Sequence, residues 1–231
     1  MKTIGILGGM SAASTQLYYQ HLCNLTQQQF GGLHSPELLI RSVNFAEIEH
    51  FQMSGNWKAA GETLNREARL LEQGGAQILL IATNTMHKLA NEIMHGIDIP
   101  LIHIADATAA CIKSDSLTAP GLMATRFTME QDFYTGRLIH SGLHPVIPDT
   151  NDRNTTHRII YEELCKNIIS EDGRRAYEQI ASRLIEAGAD SLILGCTEVG
   201  MLLNSDNVGV PVYDTTRIHC EAALHLSLQS M

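Results

Sequence analysis

The chain has 231 residues, of which 44% are hydrophobic and 18% are charged, a composition typical of a soluble globular protein with one large or two small domains. Its formal net charge of −9 disfavours binding to a nucleic-acid backbone, which requires a basic surface. No apolar run approaches the roughly 20 residues that cross a bilayer, and the apolar N-terminal run breaks at Gly8 and Gly9. We therefore expect a cytoplasmic protein that binds neither nucleic acid nor a membrane.

Strand-like apolar runs alternate with helix-like segments along the whole chain, which predicts parallel sheets covered by helices. The predicted strands are, in chain order, 3–7, 37–43, 78–82, 101–104, 121–124, 144–147, 191–195 and 212–213. The predicted helices are 14–28, 57–73, 127–141, 151–168, 174–187 and 217–228. We interpret 114–120 as the connection between two α/β domains, 1–113 and 114–231, whose final strand and helix can pack back on the first domain.

The stretch 75–85 resembles the stretch 188–198 at a constant offset of 113 positions, which places Thr83 over Cys196. Each copy contains a Gly turn, a buried strand and a polar strand end, preceded by a helix-like segment. Shorter matches pair 3–9 with 119–125 and 99–103 with 210–214, in the same order. Any two βα units share some apolar residues, but three matches in one order favour an internal duplication.

Polar residues follow four of the predicted strands, where open parallel sheets bind their ligands. These strand ends are 8–11, 83–85, 125–128 and 196–198. We expect each of them to lead into a helix, whose N-terminal N–H groups would attract a carboxylate or a phosphate. Helix capping explains any one of these ends equally well, yet four of them around one cysteine favour a binding site.

The five cysteines are an odd number without a C-x-x-C pair, so they indicate neither a disulfide framework nor a zinc site. Only Cys196 closes a predicted strand; at a helix N-terminus its thiol pKa would be lowered. A thiolate can serve as metal ligand, nucleophile or general base. No His or Cys lies at metal-ligand spacing from Cys196, and a nucleophile needs one of the eleven histidines nearby. A base needs only an acidic C–H group, and a second acid from the other half would permit racemisation.

Several of these motifs also carry a resemblance to a known family. They are 6–11, 14–15, 18–19, 83–87, 125 with 128–129, 195–198, 214–215 and 218–219. Together they resemble the aspartate/glutamate racemase superfamily, in its branch of aspartate and broad-specificity amino-acid racemases. The resemblance implies two αβα domains related by a pseudo-twofold axis, each with a mainly parallel sheet, and a substrate held between them. It also implies proton transfer without pyridoxal or any other cofactor, without a metal, in a homodimer.

The resemblance assigns roles to particular residues. A first family cysteine would stand at Thr83, so Cys196 is expected to abstract the α-proton of an L-amino acid and Thr83 to act as the catalytic acid on the D face. The expected substrate-binding residues are Met10, Gln52, Asn84, Thr85, Thr125, Thr128, Thr197 and Glu198. His87 and His219 are interpreted as packed or capping residues. No residue after 162–164 clearly supplies the cation that aspartate-specific members use.

The predicted function is therefore cofactor-independent racemisation of L-aspartate, L-glutamate or both. Two alternatives remain open at this point. One is a single-cysteine decarboxylase of the same superfamily, which the replacement of the first cysteine by Thr83 would suit. The other is a protein that binds acidic amino acids without catalysis. Asn84, Thr85 and Glu198 favour an amino acid over an aryl malonate as the ligand.

Overall fold

The computed structural model describes residues 1–166, 168–196 and 199–229. The chain divides into two compact units, Met1–His103 with His219–Met231 and Ile104–Ile218. Within the described residues each unit contains one three-stranded parallel sheet, which confirms the predicted α/β class. In the same part of the chain, no helix is both long and apolar enough to cross a bilayer.

The first unit is built around β1, the central strand of the order β2-β1-β3. Its elements before the crossing to the second unit are β1 (Ile4–Gly8), α1 (Ala12–Phe30), β2 (Leu38–Ser42), α2 (Phe45–Ser54), α3 (Trp57–Gln73), β3 (Ile78–Ile81), a 3-10 helix (Thr85–Leu89) and α4 (Ala90–Ile93). A single parallel bridge joins Leu101 to Leu79 of β3, beyond the outer edge of that strand.

The second unit has the strand order β4-β5-β6. Its elements are α5 (Ile104–Ser114), β4 (Pro120–Ala124), α6 (Arg126–Glu130), α7 (Asp132–His140), α8 (Thr150–Glu162), a 3-10 helix (Leu164–Lys166), α9 (Glu171–Glu186), β5 (Ser191–Gly195), a 3-10 helix (Val199–Met201), α10 (Ser205–Val208), β6 (Val212–Asp214) and α11 (Thr215–Leu228). From His219 onward, α11 belongs to the first unit. A single bridge joins Val146 to Gly121 of β4.

Alternate residues of the buried strands enter different hydrophobic clusters, as expected for a sheet with helices on both faces. In the first unit, Leu7 and Ile81 pack in a cluster with α2 and α3, whereas Ile6 and Leu80 pack in a second cluster with α1 and α11. In the second unit, β5 divides in the same way between a cluster with α8 and α9 and a cluster with α5 and α7. Each unit is therefore an αβα layer structure.

The duplicated sequence forms the same local structure in both units. Gly75 and Gly188 both have φ +101°, a backbone conformation that glycine adopts without steric cost. In both turns the next residue donates its N–H to the preceding helix over 3.0 Å, from Ala76 to Leu71 and from Ala189 to Leu184. When the two single bridges are counted as strand positions, both sheets have the same four-position order.

Several predicted elements differ from the structure. Predicted strands 101–104 and 144–147 are each reduced to a single bridge. Strand 101–104 is shortened because Ile104 begins helix α5, whose apolar residues recur at helical spacing. Gln131, with extended φ −115° and ψ 145°, divides predicted helix 127–141 into α6 and α7. The units also differ from the predicted domains 1–113 and 114–231, because α5 packs against β4 in the second unit.

Candidate active site

The end of β3 is held by a set of local hydrogen bonds around Thr83. The Thr83 N–H donates to the Ile81 carbonyl over 2.8 Å. The Ser14 hydroxyl, at the start of α1, donates to the Ala82 carbonyl over 2.7 Å, and His87 Nδ1–H donates to the Thr83 carbonyl over 2.8 Å. Thr83 itself is only partly buried. The backbone on both sides of this residue is therefore fixed while its side chain keeps some exposure.

The residues after Thr83 are more enclosed. Asn84 and Thr85 are both buried, and they lead into the 3-10 helix Thr85–Leu89. Gln52 of α2 is also buried, and its Nε2 donates to Met86 Sδ over 2.9 Å. The first unit thus brings three of the predicted binding residues together around one strand end.

Met10 and the end of β1 show a structural role. The Met10 side chain packs in the same hydrophobic cluster as Met86. Ser11 accepts a hydrogen bond from Ser14 N–H over 3.1 Å and so caps α1. Gly9 has φ +89°, and a Cβ there would lie 2.3 Å from the Val43 carbonyl oxygen, so glycine is required. Capping, which explained this strand end equally well from the sequence, is observed here.

Cys196 follows β5, is partly buried and forms no disulfide bond. Its carbonyl accepts the Val199 N–H over 3.1 Å, which opens the short 3-10 helix Val199–Met201. Within the described residues, the first helix after Cys196 is thus this three-residue 3-10 helix and not the expected α-helix, and it supplies a much weaker dipole. The predicted binding residues Thr197 and Glu198 lie outside the described residues.

Thr125 follows β4, the strand that pairs with β5, and Ala124 lies opposite Gly195 in the register. Thr125 and Cys196 therefore end neighbouring strands at the same edge of the sheet. Thr125 caps α6: its Oγ1 accepts the Thr128 N–H over 3.4 Å and lies 3.2 Å from Thr128 Oγ1. The cap fully buries Thr128.

Four buried residues that are distant in sequence form what we call the histidine cluster: Tyr18, His87, His103 and His219. The His87 ring lies 4.6 Å from the His103 ring and 5.6 Å from the His219 ring. His219 Nε2–H donates to the Ile102 carbonyl over 2.8 Å, so in the neutral ring Nδ1 accepts the Tyr18 hydroxyl proton over 2.7 Å. Burial, followed by repulsion from His87, lowers the pKa of His219 to about 3.

His87 and His219, which the sequence predicts to be packed or capping residues, are indeed packed, and both rings form specific hydrogen bonds. The meeting of the four residues in one cluster is not apparent from the sequence. Within the described residues, no group of three or more His, Cys, Asp or Glu side chains is arranged to hold a metal ion. Ser14 and Thr215 were also missed as supports: Thr215 Oγ1 donates to the Leu194 carbonyl over 2.8 Å.

Sequence and structure comparisons show which known proteins resemble this chain. A sequence model of the Asp/Glu/hydantoin racemase family matches residues 7–223. A candidate Asp/Glu racemase from Yersinia pestis is 46% identical with a TM-score of 0.91, over 99% of this chain and 100% of that chain. An aspartate racemase homologue from Pyrococcus horikoshii is 31% identical with a TM-score of 0.86, over the same shares of the two chains. A broad-specificity amino-acid racemase from Bacillus subtilis is 22% identical over 92% of each protein. The chain therefore belongs to the Asp/Glu/hydantoin racemase family.

Proposed function

We propose that this protein is a pyridoxal-independent racemase of L-aspartate, L-glutamate or both, in which Cys196 is the base and Thr83 the acid on the opposite face of the α-carbon. The observation that carries the proposal is the equivalence of two strand ends. β3 and β5 follow the same type of Gly turn, hold the same position in their sheets and are followed by Thr83 and Cys196. One proton-transfer group from each half is what a two-faced reaction needs.

The proposed reaction begins when the Cys196 thiolate takes the α-proton of the L-amino acid. An S–H bond forms, the Cα–H bond breaks, and its electron pair is delocalised into the substrate carboxylate. The Thr83 hydroxyl, directly or through a water molecule, then supplies a proton to the other face, and exchange with solvent restores both groups. A threonine hydroxyl has no accessible pKa near neutrality, so it is a poor base, and we assign the Thr83 side as the slow one.

The substrate carboxylates and amine would be held by polar groups at the strand ends. We assign this role to Asn84, Thr85, Thr125, Thr128, Thr197 and Glu198, and we assign Gln52 to the substrate side chain. Asn84 and Thr85 directly follow Thr83, which supports their assignment. The preference for aspartate and glutamate is supported by the names of the similar proteins. We further propose a cytoplasmic homodimer that acts without cofactor or metal.

Thermodynamics limits what the unequal pair Thr83 and Cys196 can do. Two enantiomers have equal free energies, so kcat/KM must be the same in both directions. Only kcat and KM taken separately can differ, through unequal binding of the two substrates. A weak acid at Thr83 must therefore slow both directions at low substrate concentration.

The test is proton NMR of L- and D-aspartate and L- and D-glutamate in D2O with the protein. We expect the α-proton signal of at least one substrate to disappear, and a Cys196→Ala control to lower that rate by about 10³-fold or more. Exchange with inversion would establish racemisation with a second proton donor. Exchange without inversion would leave a one-sided acid–base site. Saturable binding without exchange would refute the racemase and leave a binding protein.

One observation favours a second candidate, a decarboxylase with a single cysteine. Only one of the equivalent strand ends carries a thiol, which is enough to protonate one face of an enediolate. Proton NMR also distinguishes the decarboxylase from the racemase. A decarboxylase would release CO2 from an aryl malonate, and it would leave the α-proton of aspartate and glutamate unexchanged.

A further inference from the structure

The backbone around Thr83 has an unusual density of hydrogen bonds for a residue in a turn. Its own N–H donates to Ile81, its own carbonyl accepts from His87, and the preceding carbonyl of Ala82 accepts from Ser14, all over 2.7–2.8 Å. The two peptide planes that flank Thr83 are therefore both oriented. Because threonine is β-branched and restricted at χ1, the direction of its Cα–Cβ bond limits Oγ1 to a few positions.

His87 is itself held rigidly. Its ring is 2% exposed and packs edge-on against His103, while His219 lies on another side. A carbonyl oxygen can only accept, so the Thr83 carbonyl requires the proton of His87 to be on Nδ1. His219 is fixed in turn by Tyr18 and by the Ile102 carbonyl. The histidine cluster thus presents one N–H group to the Thr83 backbone in a single orientation.

In the second unit, the corresponding carbonyl of Cys196 accepts a backbone N–H, from Val199 over 3.1 Å, and the position that corresponds to His87 carries no side chain. At the offset that places Thr83 over Cys196, His87 corresponds to Gly200. A thiolate is a competent base over a range of approach geometries. A hydroxyl that must pass a proton to a carbanion depends much more on its position, and a 1 Å misplacement can cost roughly 10²-fold in rate. The half with the weaker acid is also the half in which this position is a histidine that binds the carbonyl of the reacting residue.

We propose that His87 is a positioning residue for proton delivery by Thr83: its Nδ1–H bond to the Thr83 carbonyl sets the direction of the Thr83 side chain. The proposal rests on the function proposed above, in which Thr83 serves the D face. It predicts that loss of the bond weakens inversion at the α-carbon and leaves proton abstraction by Cys196 largely intact. This specific imbalance separates positioning from a general loss of folded protein.

The experiment measures two rates in D2O that start from the L-amino acid, formation of the D-enantiomer and exchange of the α-proton in the remaining L-enantiomer. The inversion-to-exchange ratio should fall about 10-fold in His87→Leu, which lacks the donor. It should recover substantially in His87→Asn, whose amide N–H can occupy the place of Nδ1–H. His87→Gln, whose longer side chain places the amide elsewhere, should lower the ratio as His87→Leu does.

Tyr18→Phe is the matched control: it removes a hydrogen bond from the same cluster but keeps the aromatic ring, the bond that holds His219 on the Ile102 carbonyl and the bond between His87 and Thr83. Its ratio should equal that of the wild-type protein. A wild-type ratio in His87→Leu, or an equal fall in Tyr18→Phe, would overturn the proposal. If His87→Leu does not fold, the contrast between His87→Asn and His87→Gln decides in the same way. Wild-type protein without any exchange would instead refute the proposed function, and this inference with it.

Discussion

In the first unit, Thr83 follows β3 and the next 3-10 helix carries His87. In the second unit, Cys196 follows β5 and Gly200 occupies the position that corresponds to His87. The turns that precede these strands are alike, with Gly75 and Gly188 at the same φ of +101°. Two kinds of constraint therefore act on the residues of the duplicated stretches. The turn glycine is dictated by backbone geometry, whereas a partly exposed residue at a strand end can change its chemistry without altering the sheet.

Thr83→Cys would remove the chemical difference between the two strand ends. A thiol titrates near pH 8.5 when unperturbed, so a useful fraction is thiolate where a threonine hydroxyl is never ionised. We expect kcat/KM to rise about 10- to 100-fold, equally in both directions, measured as initial rates of optical rotation from each enantiomer. Thr83→Ser, which keeps a hydroxyl, should stay within a few-fold of the wild-type protein. An unchanged rate in Thr83→Cys would show that this side chain does not reach the reacting carbon.

Gly75→Ala and Gly188→Ala test whether the two turns are energetically equal. A Cβ at either position would have no atom within 4 Å, so the effect isolates backbone strain at φ +101°. Each substitution should lower the free energy of unfolding by about 1–3 kcal/mol, measured by urea denaturation. Gly136→Ala, within α7, should instead stabilise by about 0.5–1 kcal/mol. If only one of the two substitutions lowered the free energy of unfolding, the two turns would not be equivalent.

His219 makes the first unit sensitive to acid. Its pKa is about 3 in the folded protein, because burial and the nearby His87 disfavour the charged ring, against about 6.5 in the unfolded chain. The unfolded state therefore binds one more proton below pH 6.5. The contribution of His219 to stability is complete above that pH and is lost as the pH falls toward 3.

The expected loss from His219 is about 2 kcal/mol between pH 6.5 and pH 5, at 1.4 kcal/mol per pH unit for one proton. His219→Gln, which can donate and accept but does not titrate, should remove that slope from the stability–pH profile even if it lowers stability at every pH. Hydrogen exchange should show amide protection lost first around the histidine cluster. A slope that persists in His219→Gln would mean that other groups dominate the acid response.

Much of the fold could be predicted because buried strands and amphipathic helices leave local patterns. The prediction for β5 at 191–195 and for α3 at 57–73 matches the structure residue for residue. Strand 101–104 was overextended, because Ile104 is apolar in either assignment and only tertiary packing makes it the start of α5. Helix α2 has a weaker hydrophobic pattern, and the sequence does not predict it as a helix.

The candidate site was only partly predictable. Thr83 and Cys196 could be located because the duplication aligns them without any structure. The histidine cluster could not, since Tyr18, His87 and His219 are far apart in sequence and meet only in the folded unit. The helix expected after Cys196 was inferred from a general feature of α/β folds, and local sequence cannot distinguish an α-helix from the three-residue 3-10 helix that forms.

Ser14→Ala and Thr215→Ala compare the two hydroxyls that support the strand ends. Both side chains are fully buried, and each donates to a carbonyl at the end of its strand, Ala82 for β3 and Leu194 for β5. Removal of either hydroxyl leaves a buried carbonyl with one bond fewer, which should cost about 1 kcal/mol in urea denaturation. Ser114→Ala removes the same type of bond at an exposed position and should stay within about 0.5 kcal/mol.

The activity of the same two variants makes this comparison more specific. Ala82 directly precedes Thr83, whereas Leu194 is two residues before Cys196, so the Ser14 bond is nearer to its reacting group. Because a hydroxyl acid tolerates misplacement less than a thiolate base, Ser14→Ala should lower the ratio of inversion to α-proton exchange by a few-fold. Thr215→Ala should lower stability by a similar amount and leave that ratio unchanged. If the two variants lowered the ratio equally, proton transfer at both strand ends would depend on the position of the reacting group to the same degree. The asymmetry between the two units would then lie only in the chemistry of Thr83 and Cys196.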